Sequence, residues 1–199
     1  MSLSDEIEYY KQSLREAEEE IKRDHENGKA LKDVVGNAFE THRRRIWEHN
    51  GFNVSKETYG AKFNVDWSIK YKDKLIAFEE DKGHYLDSCF MERAITGFSK
   101  TVCAYQREKK EVPILIIHSF ARYAKFNEKL EEDLVTRKAE IEEEVRKKLH
   151  YTTLTGRDRI PKDRWFSKNS YNSYQANVEE ELIIEDIKFI RSLIPSHSE

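Results

Sequence analysis

The sequence has only two cysteines, Cys89 and Cys103, and neither belongs to a CxxC pair or to a spacing that builds a zinc site. Both fall in an expected helix, where each reads as a small buried hydrophobe. No apolar stretch approaches the roughly 18 residues of a membrane span. Residues 1–20 are acidic and polar, which a secretory signal is not. The expectation is therefore a cytoplasmic protein with no membrane partner. Internal repeats and low-complexity tracts are also lacking. Nor is there an excess of positive charge: a net charge of −3 over 199 residues excludes a uniformly basic nucleic-acid coat. Any such contact needs local basic patches.

What is present is charge of both signs, 37% of residues, alongside 12% aromatics that recur in clear periods with Ile, Leu and Val. This predicts a compact core carrying long, solvated, charged helices. Residues 4–27 form a helix with a seam of Ile7, Tyr10, Leu14, Ala17 and Ile21, open either to the core or to a second copy. Residues 30–49 form a second helix, buried through Val35, Ala38, Phe39, His42 and Ile46 and ended by Asn50-Gly51. Strands are expected over 52–58, 63–71 and 75–82, the last two joined by the polar loop Lys72-Asp73-Lys74. A helix over 86–109 follows, then an apolar run at 113–118 that suits a strand covered on both faces and ended by His118. Residues 122–149 read as one long charged helix, 151–176 as irregular and polar-aromatic, and 178–193 as a last helix. The fold class is α/β: an αβββαβ core over 30–120, a mixed sheet flanked by helices. An N-terminal helix (1–29) and a C-terminal helical extension (121–199) complete it.

The hairpin holds the chemistry. With Asp73 at the centre of the loop, Asp66 lies seven residues before it and Glu80 seven after, so the two face each other. Opposed side chains have Cβ atoms about 4.5–5.5 Å apart, and like charges there repel. A divalent cation between them reverses the sign of that interaction, and Mg²⁺ takes one or two carboxylates plus waters and phosphate. Alternation puts Ile76, Phe78, Glu80 and Lys82 on one face. Two carboxylates, a metal and an ammonium are what phosphodiester hydrolysis requires. In a chain this charged, an Asp followed later by Glu-x-Lys arises often by chance. What singles this one out is its place at the end of an apolar strand, with an Asp at matching depth on the partner strand. Glu79 remains an alternative acidic ligand, although it faces away from Lys82.

This pattern resembles the PD-(D/E)XK nuclease superfamily, the restriction-endonuclease-like fold, over about 90 residues. Asp66 and Glu80-Asp81-Lys82 match its motif, with Val65 where the family name has Pro. The resemblance implies that Asp66 and Glu80 bind metal and that the Asp81 carbonyl joins them. Lys82 then assists the water, and Glu40 on the preceding helix helps a second metal. It also implies a metal-dependent endonuclease acting on duplex DNA, possible as a restriction-type enzyme. Mg²⁺ would be its cofactor, with Mn²⁺ able to substitute, and a homodimer would suit cutting of both strands.

For holding nucleic acid, residues 156–174 interleave Arg157, Arg159, Lys162, Arg164 and Lys168 with Trp165, Phe166, Tyr171 and Tyr174. Arg43-Arg44-Arg45 is a second basic cluster one turn beyond Glu40, with Arg43 and Arg44 the candidate contacts. Two other readings stay open. One is a non-catalytic nucleic-acid-binding protein on the same fold, for which a broken motif is expected. The other is a helical interaction protein, in which 4–27 and 122–149 carry the function.

Overall fold

The computed structural model describes residues 2–56, 58–59, 63–85, 87–158 and 173–195. Helix α1 (Leu3–Glu26) is started by a capping box in which Ser2 and Asp5 serve each other's backbone N–H. Helix α2 (Leu31–His49) follows and ends at Gly51, whose φ of +84° is the left-handed conformation that glycine adopts without cost. Then come β1 (Asn53–Ser55), the short β2 (Thr58–Tyr59) and β3 (Phe63–Asn64), β4 (Trp67–Tyr71) and β5 (Lys74–Tyr85). Helix α3 (Ser88–Arg107), capped by Asp87, leads to β6 (Ile114–Arg122). The remainder is α4 (Phe126–Leu134), α5 (Ala139–Lys148), β7 (Leu149–Asp158), α6 (Ser173–Asn177) and α7 (Glu180–Ser192).

The main sheet is mixed, in the order β1-β4-β5-β6-β7, with β1–β4 and β4–β5 antiparallel and the other two pairs parallel. Helices cover both faces. On one side α1, α2 and α7 pack Tyr10, Leu14, Phe39, Trp47 and Ile187 against Ala77, Ile116 and Leu154. On the other, α3, α4 and α5 pack Phe98, Leu134 and Val145 against Phe78, Leu115 and Ile117. Strand β6 is covered on both sides, as its apolar run requires.

Several expectations are corrected. The seam of α1 is taken by the chain's own core: Tyr10, Leu14, Ala17 and Ile21 are buried there, so that stripe is not a face for a second copy. Residues 122–149 are two helices separated at 135–138, and 149–158 is a fifth strand of the sheet. Strand β6 runs past His118 to Arg122, and His118 bonds Thr152 on β7. Cys89 is exposed in the first turn of α3, while Cys103 is half-buried.

The β4–β5 connection is a two-residue turn, since Tyr71 pairs with Lys74. Lys72 and Asp73 both have positive φ, 46° and 67°, the twist that suits a tight hairpin. Beyond it the register shifts once: Lys70 pairs with Leu75 but Ile69 with Ala77, leaving Ile76 as an extra residue in β5. Ile76 consequently packs toward the α2 side, not with Phe78. Among the described residues, no helix is long and apolar enough to cross a membrane.

Candidate active site

That extra residue decides what faces what. A two-residue turn alone would set Asp66 against Glu79. With Ile76 bulged, Trp67 pairs with Glu79, and the same register carried one step further sets Asp66 across from Glu80. The Asp81 backbone N–H donates to Asp66 Oδ2 at 2.8 Å and fixes the carboxylate at the strand end.

The two carboxyl groups are held in an unfavourable setting. Burial pushes Asp66 up to about 6, opposed by the Asp81 N–H and reinforced by the charge of Glu40. Glu80 is pushed up to about 9, first by burial, then by the charge of Asp66, with Arg93 opposing. Glu80 Oε1 is buried and has no hydrogen-bond partner among the described residues. A buried acceptor in that condition costs roughly 1–3 kcal/mol.

Two cations act on this pair, Lys56 on Asp66 and Arg93 on Glu80, and a third lies further along β5. Lys82 lies on the α3 side of β5, its Nζ 5.1 Å from the centre of the Phe90 ring. Arg93, one turn along α3, stands 5.8 Å from the same ring. Lys56, just after β1, is 2.6 Å from Glu40 Oε2 and 5.2 Å from the centre of the Trp67 ring. The fold thus brings Asp66, Glu80, Lys82 and Glu40 to one end of the β4–β5 pair. Lys56 and Arg93 belong to the same region but escape a reading by motif. The signals for them are weak: Arg93 lies three residues after Phe90 on a helix, and Lys56 closes a strand that pairs with β4.

The opposite face of β5 is built differently. Glu79 is fully buried and receives both Nε and Nη2 of Arg43, at 3.0 and 2.9 Å, and the Trp47 indole N–H at 3.0 Å. Arg43 Nη1 reaches Asp186 of α7 at 2.6 Å, and Tyr10 donates to the same oxygen at 2.7 Å. Glu79 is therefore committed to the core, which leaves Glu80 as the acidic residue of the motif that faces Lys82. The Asp81 carboxyl also belongs to the core, accepting from Trp67 Nε1 at 2.9 Å. Burial and the charge of Glu79 push it well up, against Arg43. What Asp81 offers the site is its backbone. Gly83, next along the strand, has no room for a side chain: an added Cβ would lie 2.9 Å from Phe39 Cβ and from the Val35 carbonyl. This close approach seats α2 on β5.

Arg43 is corrected as a nucleic-acid contact, because it is inaccessible and bound to Glu79 and Asp186. Arg44 is exposed and pairs with Glu48 at 3.5 Å. Tyr174 is likewise a core residue, donating to the Gly83 carbonyl at 3.0 Å. Arg159, Lys162, Arg164 and Lys168, with Trp165, Phe166 and Tyr171, lie outside the described residues, and so does the side chain of Arg157.

Among the described residues no group of three or more His, Cys, Asp or Glu side chains is placed to hold a metal ion. The Asp66–Glu80 pair nevertheless fits a hard divalent cation. It offers two oxygen donors that repel each other, one with a partnerless buried oxygen, and Mg²⁺ uses one or two carboxylates with water completing its shell. No family model, curated protein or solved structure matches the chain.

Proposed function

We propose that this protein is a metal-dependent endonuclease that hydrolyses phosphodiester bonds in duplex DNA inside the cell, on a restriction-endonuclease-like core formed by α2, β1, β4, β5, α3 and β6. The observation that carries the reading is Glu80: a half-buried residue whose buried Oε1 has no hydrogen-bond partner among the described residues, across from Asp66 and on the Lys82 side of β5. The neighbouring glutamate, Glu79, is by contrast bonded at both oxygens by Arg43 and Trp47.

Asp66 and Glu80 would hold a divalent ion, which would supply Lewis acidity for activating water. The chain's own residues do the rest. Asp66 is held by the Asp81 N–H, so its carboxylate is oriented in advance. The Lys82 ammonium, steadied over Phe90, faces the charge that grows on phosphate as the water oxygen joins phosphorus and the bond to the leaving oxygen breaks. Arg93 adds a second positive group beside Phe90. Exposed Arg44 is suited to the flanking backbone, and the basic-aromatic segment 156–174 to the remaining DNA contacts. Two such sites in a homodimer would cut both strands.

Incubation with plasmid DNA tests the reading. Metal-dependent fragments are expected with Mg²⁺ or Mn²⁺ and none with chelator. Asp66→Ala and Lys82→Ala should each lower the rate by at least about 10²-fold, the scale of losing one preorganised charge. Cutting that survives both substitutions would refute the assignment.

A further inference from the structure

Glu40 is the acidic residue that the resemblance would give to a second metal ion. In the structure it already has a cation. Lys56 Nζ lies 2.6 Å from Glu40 Oε2. The same ammonium sits 5.2 Å from the centre of the Trp67 ring. Trp67 follows Asp66 directly, and its indole N–H is tied to Asp81 at 2.9 Å. Lys56 is therefore restrained from two independent directions, by a carboxylate on α2 and by an aromatic face on β4. An exposed lysine with one partner would be a weak surface pair. An ammonium shared between an ion pair and a tryptophan face is a positioned charge.

We infer that Lys56 is a built-in second cation: its ammonium occupies the position beside Glu40 and Trp67 that a second divalent ion would take, so that the site works with a single metal ion. The inference rests on the reading of Asp66 and Glu80 as a metal pair. Charge balance favours it. Three carboxylates, Glu40, Asp66 and Glu80, are neutralised by one divalent ion and one ammonium. A second divalent ion in the place of that ammonium would add one more positive charge, beside Lys82 and Arg93, before any phosphate arrived. The electrostatic coupling agrees, since the charge of Lys56 acts on Asp66 against that of Glu40. Lys56 is a positioning and charge-balancing residue in this account, and it touches the phosphate only when substrate is bound.

The experiment is a calorimetric titration of Mn²⁺ into the full-length chain. The wild type is expected to bind a single ion per chain, lost in Asp66→Ala. Lys56→Met frees Glu40 and should raise the stoichiometry to two, whereas Lys56→Arg keeps it at one. The Lys56 side chain is 62% exposed, so the fold should tolerate its replacement, and a thermal melt of Lys56→Met checks this. Lys56→Gln serves as a second neutral variant. Two ions in the wild type would overturn the inference, as would an unchanged single ion in both neutral variants; the metal-site reading survives either result. No ion bound by the wild type would overturn both.

Discussion

Glu79 and Glu80 are consecutive residues of one strand, and the two faces of β5 treat them in opposite ways. Glu79 is saturated: a bidentate arginine and an indole N–H serve both its oxygens, and the arginine reaches a second carboxylate, Asp186, whose Oδ2 is bonded while its Oδ1 has no partner among the described residues. Glu80 is half-buried, its Oε1 has no partner among the described residues, it faces the carboxylate of Asp66, and its carboxyl is pushed up to about 9. Both arrangements bury a charge-bearing group. Only the first pairs it directly with an opposite charge, so only the first is explained by stability. The second is the arrangement on which the proposed site rests.

The largest effect should come from breaking the saturated side. Arg43→Ala leaves Glu79 and Asp186 buried and uncompensated, and is expected to destabilise the protein by about 3–5 kcal/mol in urea unfolding. A loss under about 1 kcal/mol would mean the network is slack. The unsaturated side should behave in reverse. The unfolded chain ionises Glu80 near 4.5 and Asp66 near 3.8, but the metal-free folded chain retains these protons until about 9 and about 6. Their contribution to stability is therefore fully present below the unfolded values. It is lost as pH rises through the folded ones, at up to about 1.4 kcal/mol per pH unit for each proton. Melting temperatures of the metal-free protein should fall between pH 5 and 9, using buffers within the range those shifts define. Glu80→Gln should flatten that fall, and added Mg²⁺ should stabilise more at high pH because it needs the ionised carboxylates. A flat profile in the wild type would contradict the burial of Glu80. The smallest effect belongs to the arginine next to Arg43. Arg44→Ala loses only an exposed i,i+4 pair, worth about 0.3–0.5 kcal/mol. Its melt should barely move, while its salt-dependent affinity for duplex DNA weakens.

Arg43 and Arg44 also mark how far the sequence is legible. Three arginines in a row look like a basic patch, yet on a helix they point in different directions. Arg43 lies four residues after Phe39 and four before Trp47, along the buried stripe, and that spacing was the available signal. Periodicity gave the α2-to-β6 order well, because these elements have one or two strongly apolar faces. Strand β7 was harder to see. Its run Leu149-His150-Tyr151-Thr152-Thr153-Leu154 lacks clean alternation, and Thr152 serves His118 in place of apolar packing. The break at 135–138 is hidden because the stripe Phe126, Leu130, Leu134, Ile141, Val145 continues in phase and no Gly or Pro interrupts it. The Asp66–Glu80 opposition was read from a three-residue loop. The structure reaches the same opposition through a two-residue turn and the Ile76 bulge, a compensation that residue spacing cannot reveal.

The most direct test of the central claim is plasmid cleavage by the wild type beside Glu80→Gln, in Mg²⁺, with both proteins shown to be folded by their melts. The account predicts nicked and linear DNA from the wild type and intact supercoiled DNA from Glu80→Gln at equal or greater stability. Cleavage that persists in Glu80→Gln, or a wild type that leaves the plasmid intact with both Mg²⁺ and Mn²⁺, would contradict it.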